Sequence, residues 1–316
     1  MGIDMNNRKV AIIGCGYVGA TTAFTLMQSG LFSEMVLLDV DEKKAEGEAM
    51  DIMHGMPFAM PIQIHAGNYD DIADCAIIIV TAGCNQKPDE TRLDLVHKNI
   101  AIYKQIVGEI SKRNVEGILL IVSNPVDILT YVAWKYSGLP KNRVIGSGTV
   151  LDTARLKCML GEELGVDARS VHAFIIGEHG DSELAVFSSA NVSGIDLKDF
   201  YDMCQPEEYH EDTARIYDQV KNSAYKIIES KRATYFGVAM AVRRICECIM
   251  RNEHSILTVS GVVDGQYGAT DMALSLPGIV GIKGLEQIIQ IDLDEDEETQ
   301  LKDSIKVLKE VLSEAF

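Results

Sequence analysis

The feature that most constrains the fold is a glycine pattern at the junction of a predicted strand and a predicted helix near the N-terminus. An aliphatic strand over 9–13 runs into Gly14-Cys15-Gly16-Tyr17-Val18-Gly19, and a helix-forming stretch follows over 20–28. A second strand over 35–38 ends in Asp39, 20 positions after Gly19. Strand, Gly-x-Gly-x-x-Gly, helix, strand and acid form the βαβ pattern that is typical of dinucleotide binding.

Each position in this pattern has a physical role. Gly14 allows the tight turn, Gly16 lets the backbone approach a pyrophosphate, and Gly19 lets the helix pack on its strand. A carboxylate at Asp39 accepts hydrogen bonds from a ribose diol and repels a 2′-phosphate, which favours NAD over NADP. The predicted cofactor contacts in this unit are Gly14, Gly16, Tyr17, Val18, Gly19 and Asp39.

Two later strands end in turns that also suit a ligand. A continuous aliphatic strand over 75–80 ends in Thr81-Ala82-Gly83, and the strand over 117–122 ends in Ser123-Asn124-Pro125. Ligands of open α/β sheets bind at the carboxyl ends of parallel strands. We therefore add Thr81, Ala82, Gly83 and Asn124 to the predicted cofactor contacts, although an Asn before Pro also serves as an ordinary turn and cap residue.

The order of the elements predicts an α/β protein, with a Rossmann-type doubly wound parallel sheet followed by an α+β catalytic domain. Gly146-Ser147-Gly148-Thr149 is the first candidate boundary, so we expect an NAD-binding domain over 1–148 and a substrate domain over 149–316. The polar stretch at about 84–93 contains a proline and is expected to be a mobile active-site loop that carries Arg92. An ordinary connecting loop is the alternative.

Composition argues against several function classes. A formal net charge of −18 over 316 residues opposes binding to nucleic acid or to anionic membranes. No apolar run approaches the length of a membrane span and the first eight residues form no signal-peptide core, so we expect a cytoplasmic protein. The seven cysteines include no Cys-x-x-Cys pair, and Cys246-Glu247-Cys248 lies in a predicted helix. We therefore predict reduced thiols and no metal site.

The residues with the clearest catalytic chemistry lie in the second half of the chain. A buried strand over 171–176 leads into Gly177-Glu178-His179-Gly180. Histidine takes and gives a proton near neutral pH, and nearby glycines let the backbone approach a ligand. A helix over 150–164 places Asp152 and Arg155 on one face. The alternatives are a surface histidine at a strand end and a solvent-exposed ion pair.

Six motifs, in this order and spacing, resemble those of the lactate/malate dehydrogenase family over nearly the whole chain, with the bacterial L-lactate dehydrogenases as the most similar branch. The motifs are Gly14-x-Gly16-x-x-Gly19 with Asp39, Asn85-Gln86-Lys87-Pro88 through Thr91-Arg92, Ser123-Asn124-Pro125-Val126-Asp127, Leu151-Asp152-Thr153-Ala154-Arg155, Gly177-Glu178-His179-Gly180-Asp181 and Ala233-Thr234-Tyr235. The resemblance implies an NAD-dependent oxidoreductase of glycolysis and fermentation that interconverts pyruvate and L-lactate.

The same resemblance implies a role for each catalytic residue. His179 would be the proton donor and acceptor, and Asp152 would hold its other ring nitrogen. Arg155 would bind the substrate carboxylate through a two-pronged pair, which only a guanidinium can form. Arg92 would polarise the substrate carbonyl, and Asn124 would bond to the reacting oxygen.

Substrate choice is implied by the residues that line the pocket, Gln86 and Thr234. The position of Gln86 resembles an arginine in the malate dehydrogenases of the family, where it pairs with a second carboxylate. A neutral amide leaves that carboxylate unmatched at a cost of several kcal/mol. The rival interpretations are a malate or other 2-hydroxy acid dehydrogenase and, from another class, a non-catalytic NAD-binding structural protein.

Two further expectations from the resemblance concern regulation and assembly. In family members activated by fructose 1,6-bisphosphate, residues resembling Lys157 and His172 bind phosphate across a subunit interface. A solvated lysine and an ordinary strand histidine are the alternative. The resemblance also implies a homotetramer.

Overall fold

The structure is a computed structural model that describes residues 8–84, 92–204 and 209–315. Its strands follow the predicted aliphatic runs, because strands buried on both faces need continuous apolar sequence. The strands are β1 Lys9–Ile13, β2 Glu34–Leu38, β3 Gln63–Ala66, β4 Ile77–Val80, β5 Ile118–Ile121, β6 Val144–Gly146, β7 Val171–Ile176, β8 Leu184–Val192, β9 Ile195–Asp196, β10 Ser255–Asp264, β11 Thr270–Gly281 and β12 Gly284–Ile288.

The helices of the described residues are α1 Tyr17–Ser29, α2 Glu42–His54, α3 Arg92–Ser111, α4 Val126–Ser137, α5 Val150–Leu164, α6 Leu197–Cys204, α7 Tyr209–Lys231, α8 Phe236–Met250 and α9 Glu295–Ala315. Helices α1, α4 and α5 each end at a glycine in the left-handed conformation, Gly30, Gly138 and Gly165. A glycine adopts that conformation without a side-chain clash, so it ends a helix at low cost.

Nine strands of the described residues form one sheet in the order β12-β11-β10-β6-β5-β4-β1-β2-β3. Strands β1 to β6 pair in parallel, and Val10 of β1 lies opposite Met35 of β2 on one side and Ile77 of β4 on the other. This is the strand order of a doubly wound dinucleotide-binding sheet, as predicted. The carboxyl ends of β1, β4 and β5 therefore lie side by side.

The large sheet continues past the predicted boundary at residue 148. The sequence assigned the hairpin of β10 and β11 to the second domain, but Ser260 of β10 pairs with Gly146 of β6. With β12, the hairpin adds three antiparallel strands to the parallel ones. The open edge of a parallel sheet has unpaired backbone groups that a further strand satisfies. The partner lies more than a hundred residues away in the chain, so no local pattern announces it.

A second, three-stranded sheet contains β7, β8 and β9. It meets the large sheet just after β7, where Gly177 N donates to Ser275 O at 2.9 Å and Ser275 N donates to Gly177 O at 3.2 Å. This isolated bridge carries the segment that contains His179 against β11. The fold consequently brings the two sheets together at the predicted catalytic histidine.

Two helices follow β9 in the chain. Helix α6 occupies Leu197–Cys204 and α7 begins at Tyr209. The side chains of Leu197 and Tyr201 are fully buried against the smaller sheet. One apolar residue per turn is enough to anchor a two-turn helix, but it is a weak sequence signal among charged neighbours. Residues 205–208 lie outside the described part of the chain.

The core is aliphatic, as a chain with 6% aromatic residues requires. All seven cysteines carry free thiols, in agreement with the prediction of reduced cysteines. Cys246 and Cys248 are buried in α8, and burial raises the pKa of both thiols. Within the described ranges, no helix combines the length and the apolar character that crossing a membrane would require.

Candidate active site

The glycine turn after β1 is shaped by the absence of side chains. Gly14 has φ +103°, and a Cβ atom there would lie 2.6 Å from the backbone nitrogen of Ala82. A Cβ on Gly19 would lie 1.8 Å from the Gly14 carbonyl oxygen. At Gly16, by contrast, an added Cβ would meet nothing within 4 Å. The space beside the start of α1 is thus open on one side and closely packed on the other, which fits a bound pyrophosphate.

Asp39 is held at the carboxyl end of β2 by the neighbouring backbone. Its Oδ2 accepts a hydrogen bond from Cys15 N at 2.6 Å, and its Oδ1 accepts one from Asp41 N at 3.0 Å. The residue is only half-buried. These bonds fix the carboxylate next to the glycine turn while leaving acceptor capacity for a ribose diol. The residues present therefore fit NAD.

The second turn, 81–83, packs directly on the first. Thr81 Oγ1 donates to the Gly14 carbonyl oxygen at 2.7 Å, and Ser123 Oγ donates to the Ala82 carbonyl oxygen at 2.7 Å. The ring of Tyr17 stacks on that of Tyr235, with 5.5 Å between centroids. The stacking brings the segment between α7 and α8, which contains the half-buried Thr234, beside α1. The predicted cofactor contacts and Thr234 thus share one edge of the sheet.

Asn99 joins two of these turns and was not predicted as a site residue. It lies in α3 with 1% exposure, and its Oδ1 accepts from Cys84 N at 2.8 Å. Its Nδ2 donates to the Asn124 carbonyl oxygen at 2.9 Å. Asn124 itself is exposed. A sequence signal existed, since Asn99 is a polar residue at helical spacing among the buried apolar residues Val96 and Tyr103.

The predicted histidine lies beside the predicted acid. His179 Nδ1 is 2.6 Å from Asp152 Oδ2, and Arg155 Nη1 donates to Asp152 Oδ1 at 2.6 Å. The Asp152 side chain is 2% exposed, whereas that of His179 is 23% exposed and accessible to a ligand. The sequence alternatives of a surface histidine and a solvent-exposed ion pair do not describe this cluster.

Burial and charge act in opposite directions on this pair. Burial alone would lower the pKa of His179, but the charge and hydrogen bond of Asp152, helped by Glu183 and Asp127, raise the pKa to about 9. Burial would raise the pKa of Asp152, but His179 and Arg155 together lower that pKa below its ordinary value. The arrangement therefore favours an imidazolium paired with a carboxylate at neutral pH.

Asp127 anchors the backbone of His179 and was quoted in the sequence only as part of a motif. Its Oδ2 accepts from His179 N at 2.8 Å. Its Oδ1 accepts from Ser260 Oγ at 2.6 Å and from Ser275 Oγ at 2.8 Å. Burial raises the pKa of Asp127, and these donors partly oppose that rise. The Asp127 carboxyl group on α4 therefore connects the backbone at His179 to β10 and β11.

Glu183 is a further acid that sequence reasoning missed. A ring nitrogen of His179 and one carboxylate oxygen each from Asp152 and Glu183 all lie within 4.8 Å of one another. Burial and the nearby Asp152 raise the pKa of Glu183 to about 8. Such a grouping also occurs in metal sites, but here His179 and Arg155 already engage both oxygens of Asp152. We therefore assign the cluster to acid–base chemistry.

Some predicted site residues cannot be placed. Gln86 and most of the expected active-site loop lie outside the described residues, and Arg92 is described only as the first residue of α3. Of the two expected phosphate ligands, Lys157 lies half-buried in α5 and His172 is exposed on β7. Burial lowers the pKa of Lys157. Their role in phosphate binding stays a prediction.

A doubly wound sheet with a dinucleotide turn, and a His–Asp pair docked at its carboxyl edge, define a class: dehydrogenases that use a nicotinamide dinucleotide. Comparison with known proteins identifies the family within this class. The lactate/malate dehydrogenase NAD-binding domain matches residues 8–146, and the alpha/beta C-terminal domain of the same family matches residues 149–316. The chain belongs to the lactate/malate dehydrogenase family, and its cofactor is NAD(H), as predicted.

Individual relatives cover nearly the whole chain. An L-lactate dehydrogenase from Acetivibrio thermocellus is 54% identical over 312 residues, 98% of each chain. L-lactate dehydrogenase 1 from Clostridium acetobutylicum is 51% identical over 310 residues, 98% of this chain and 99% of its own. A crystal structure of the ligand-bound minor L-lactate dehydrogenase from Enterococcus mundtii aligns with TM-score 0.95 and 42% identity, covering 98% of this chain and 99% of its own.

Proposed function

We propose that this protein catalyses the reversible reduction of pyruvate to L-lactate. The observation that carries the proposal is the His179–Asp152 pair, whose 2.6 Å contact favours a protonated imidazole beside the dinucleotide edge of the sheet. A proton donor at that place is what the reduction of a ketone to an alcohol requires. The relatives named L-lactate dehydrogenase support the choice of substrate.

NADH, held by the glycine turn and Asp39, would supply a hydride to the carbonyl carbon of pyruvate. As the carbonyl oxygen gains negative charge, the His179 imidazolium gives it a proton, which produces the hydroxyl group of lactate. Asp152 holds the opposite ring nitrogen and stabilises the imidazolium before the transfer. His179 then regains a proton from solvent, so one NADH and one proton are consumed for each lactate formed. In lactate oxidation, neutral His179 accepts the hydroxyl proton.

The remaining site residues bind and orient the substrate. Arg155 holds the substrate carboxylate, and its contact with Asp152 keeps the guanidinium beside the histidine. Asn124 bonds to the reacting oxygen, and Thr234 lines the pocket. Arg92 polarises the carbonyl, and Gln86 leaves room for the methyl group of pyruvate without offering a charge to a second carboxylate. These roles rest on the family resemblance, with support from the positions of the described residues.

The proposal includes a division of labour along the chain. Residues 1–148 bind the cofactor and residues 149–316 supply the catalytic histidine and the carboxylate-binding arginine. The loop at about 84–93 covers the substrate. The contact of Asp127 with His179 and with both strands of the β10–β11 hairpin supports a catalytic centre built where the two parts meet.

Assembly, regulation and location complete the proposal. The protein acts in the cytoplasm as a homotetramer, which is supported by exposed aromatic side chains on two adjoining helices, Phe24 on α1 and Phe236 on α8. Fructose 1,6-bisphosphate binds at Lys157 and His172. Adding the bisphosphate to the enzyme at neutral pH should lower the pyruvate concentration that gives half-maximal rate, and an unchanged value would contradict this part.

The deciding experiment compares NADH oxidation with pyruvate and with oxaloacetate on the same protein. We expect a kcat/KM at least about a hundred-fold higher for pyruvate, because oxaloacetate would bury an unmatched carboxylate. A preference for oxaloacetate would make the protein a malate dehydrogenase with the same catalytic group. Replacing Gln86→Arg should move the preference towards oxaloacetate, and Gln86→Asn serves as the uncharged control.

A further inference from the structure

The acid Glu183 lies next to the catalytic pair but has no part in the mechanism proposed above. It follows His179 by four residues, and the turn that separates them is closed by Glu183 N, which donates to the Gly180 carbonyl oxygen at 3.1 Å. Glu183 is 4% exposed. One oxygen of its carboxylate lies within 4.8 Å of a ring nitrogen of His179 and of a carboxylate oxygen of Asp152. A buried acid at this distance must affect the charge of the centre.

The surroundings of Glu183 combine both signs of charge. The charged and titratable groups that face it are Asp152 and Arg155 on α5, His179 after β7, and Lys221 and Tyr217 on α7. The Tyr217 hydroxyl donates to the Glu183 carbonyl oxygen, not to its carboxyl group. From α4, Asp127 adds negative charge on the side of His179. Asp152 and Glu183 each place a carboxylate oxygen within 4.8 Å of a nitrogen of the imidazole ring.

Asp152 and Glu183 differ in how readily they ionise. Asp152 accepts hydrogen bonds from His179 and Arg155, so it stays ionised. Ionising Glu183 as well would place a second negative charge in the same buried space, which disfavours its charged form. Consistent with this, the pKa of Glu183 is raised to about 8 and that of His179 to about 9. Glu183 therefore gains its negative charge only on the alkaline side, whereas the charge of Asp152 is already present at neutral pH.

We propose that Glu183 is a positioning residue that acts through His179, and that its ionisation on the alkaline side retains the proton on His179 and extends pyruvate reduction to higher pH. The proposal rests on the function proposed above. A new negative charge within about 5 Å of the imidazolium, in a partly buried site, increases the affinity of the ring for its proton by about ten-fold or more. Asp152 alone cannot supply this response, because its charge is already present at neutral pH.

Replacing Glu183→Gln tests the proposal, because the amide matches the neutral acid in shape but never ionises. We expect the alkaline limb of kcat/KM for pyruvate to move about one pH unit lower, so that the ratio of kcat/KM at pH 9 to that at pH 7 falls about five-fold. Glu183→Asp keeps an ionisable group and should recover part of the shift. Glu178→Gln, which neutralises another buried acid of the same segment, should leave the limb in place.

A second measurement does not depend on turnover. The His179 ring can be titrated by NMR in protein labelled at the histidine rings, with the His179→Asn spectrum identifying its signal. Glu183→Gln should lower the midpoint of that titration by a similar amount. If the protein did not reduce pyruvate, the proposed function would fail while the titration still tested Glu183. An unchanged or raised midpoint in Glu183→Gln, or in Glu183→Ala if the first variant does not fold, would overturn the inference.

Discussion

The two parts of the active site are built in opposite ways. The cofactor turn depends on atoms that are absent: Gly14 and Gly19 pack so tightly that an added Cβ would lie 2.6 Å and 1.8 Å from neighbouring backbone. The catalytic centre depends on side chains that are present and distant in sequence, with Asp127 and Ser275 separated by 148 positions. A turn of six residues can be recognised locally, whereas a network across α4, α5 and β11 exists only after folding.

The largest expected effect tests whether the two parts act independently. Replacing His179→Asn should lower kcat for pyruvate reduction by about 10²–10⁴-fold, because general acid catalysis is lost. Binding of NADH, measured by fluorescence titration, should change less than about two-fold, since the residues of the glycine turn are untouched. Loss of both catalysis and NADH binding in this variant would show that the cofactor turn and the catalytic centre do not act independently.

The next effect concerns the anchor of the catalytic segment. Asp127→Ala leaves three donors without an acceptor in a buried site, and should lower the free energy of unfolding by about 3 kcal/mol. It should also lower kcat, because the His179 backbone loses its contact. Urea unfolding and steady-state kinetics measure the two results. Thr130→Val is the matched control on α4, since its buried hydroxyl makes no hydrogen bond among the described residues and the variant should differ by less than about 1 kcal/mol.

The cofactor site can be tested by a substitution that should weaken NADH binding and leave kcat nearly unchanged. Asp39→Ser should weaken NADH binding by about ten-fold, because a charged acceptor for the ribose diol is lost. The preference for NADH over NADPH should fall at the same time, since the carboxylate no longer repels the 2′-phosphate. At saturating NADH, kcat should stay within about three-fold of the parent protein. Dissociation constants for both cofactors provide the measurement, and an unchanged preference would argue against Asp39 as the ribose contact.

Asn99 offers a smaller effect at the border between the two parts. Asn99→Leu removes the amide that joins Cys84 to Asn124, and should lower the free energy of unfolding by about 1–3 kcal/mol. We expect KM for pyruvate to rise more than the dissociation constant of NADH, because Asn124 is the proposed substrate contact. Asn99→Asp keeps an acceptor for Cys84 N and loses the donor to Asn124. Both variants lose the donor to Asn124, so both should raise KM, and an unchanged KM in Asn99→Asp would contradict this assignment.

A last effect is a pH dependence of stability. The pKa of His179 is raised to about 9 in the folded protein, so its pairing with Asp152 contributes stability that is fully present below the ordinary value of 6.5. That contribution is lost as the pH rises through about 9. The difference in unfolding free energy between the parent protein and His179→Asn should therefore be largest at pH 6 and shrink by pH 10. A difference that grew with pH would have the wrong sign.

The glycine turn and Asp39 followed from local sequence, because their spacing is set by one strand–helix–strand unit. The pairing of His179 with Asp152 was implied only by the family resemblance, since the two residues lie on separate elements. Glu183 and Asp127 were missed for a different reason. Each lies beside a recognised motif residue, but its burial and its neighbours come from separate elements, so no spacing in the chain distinguishes it from a surface acid.

The sequence by itself determined the parallel sheet, the bounds of most strands and helices and the choice of NAD. Hydrophobic runs and glycine positions encode these directly, because each depends on residues close together in the chain. Only the tertiary structure decided that β10 pairs with β6 and that the His179 backbone N–H donates to the Asp127 carboxylate. It likewise decided that two acids share one buried space beside the imidazole. Those features depend on the distances between elements and on the loss of water around their charges, which no stretch of sequence records.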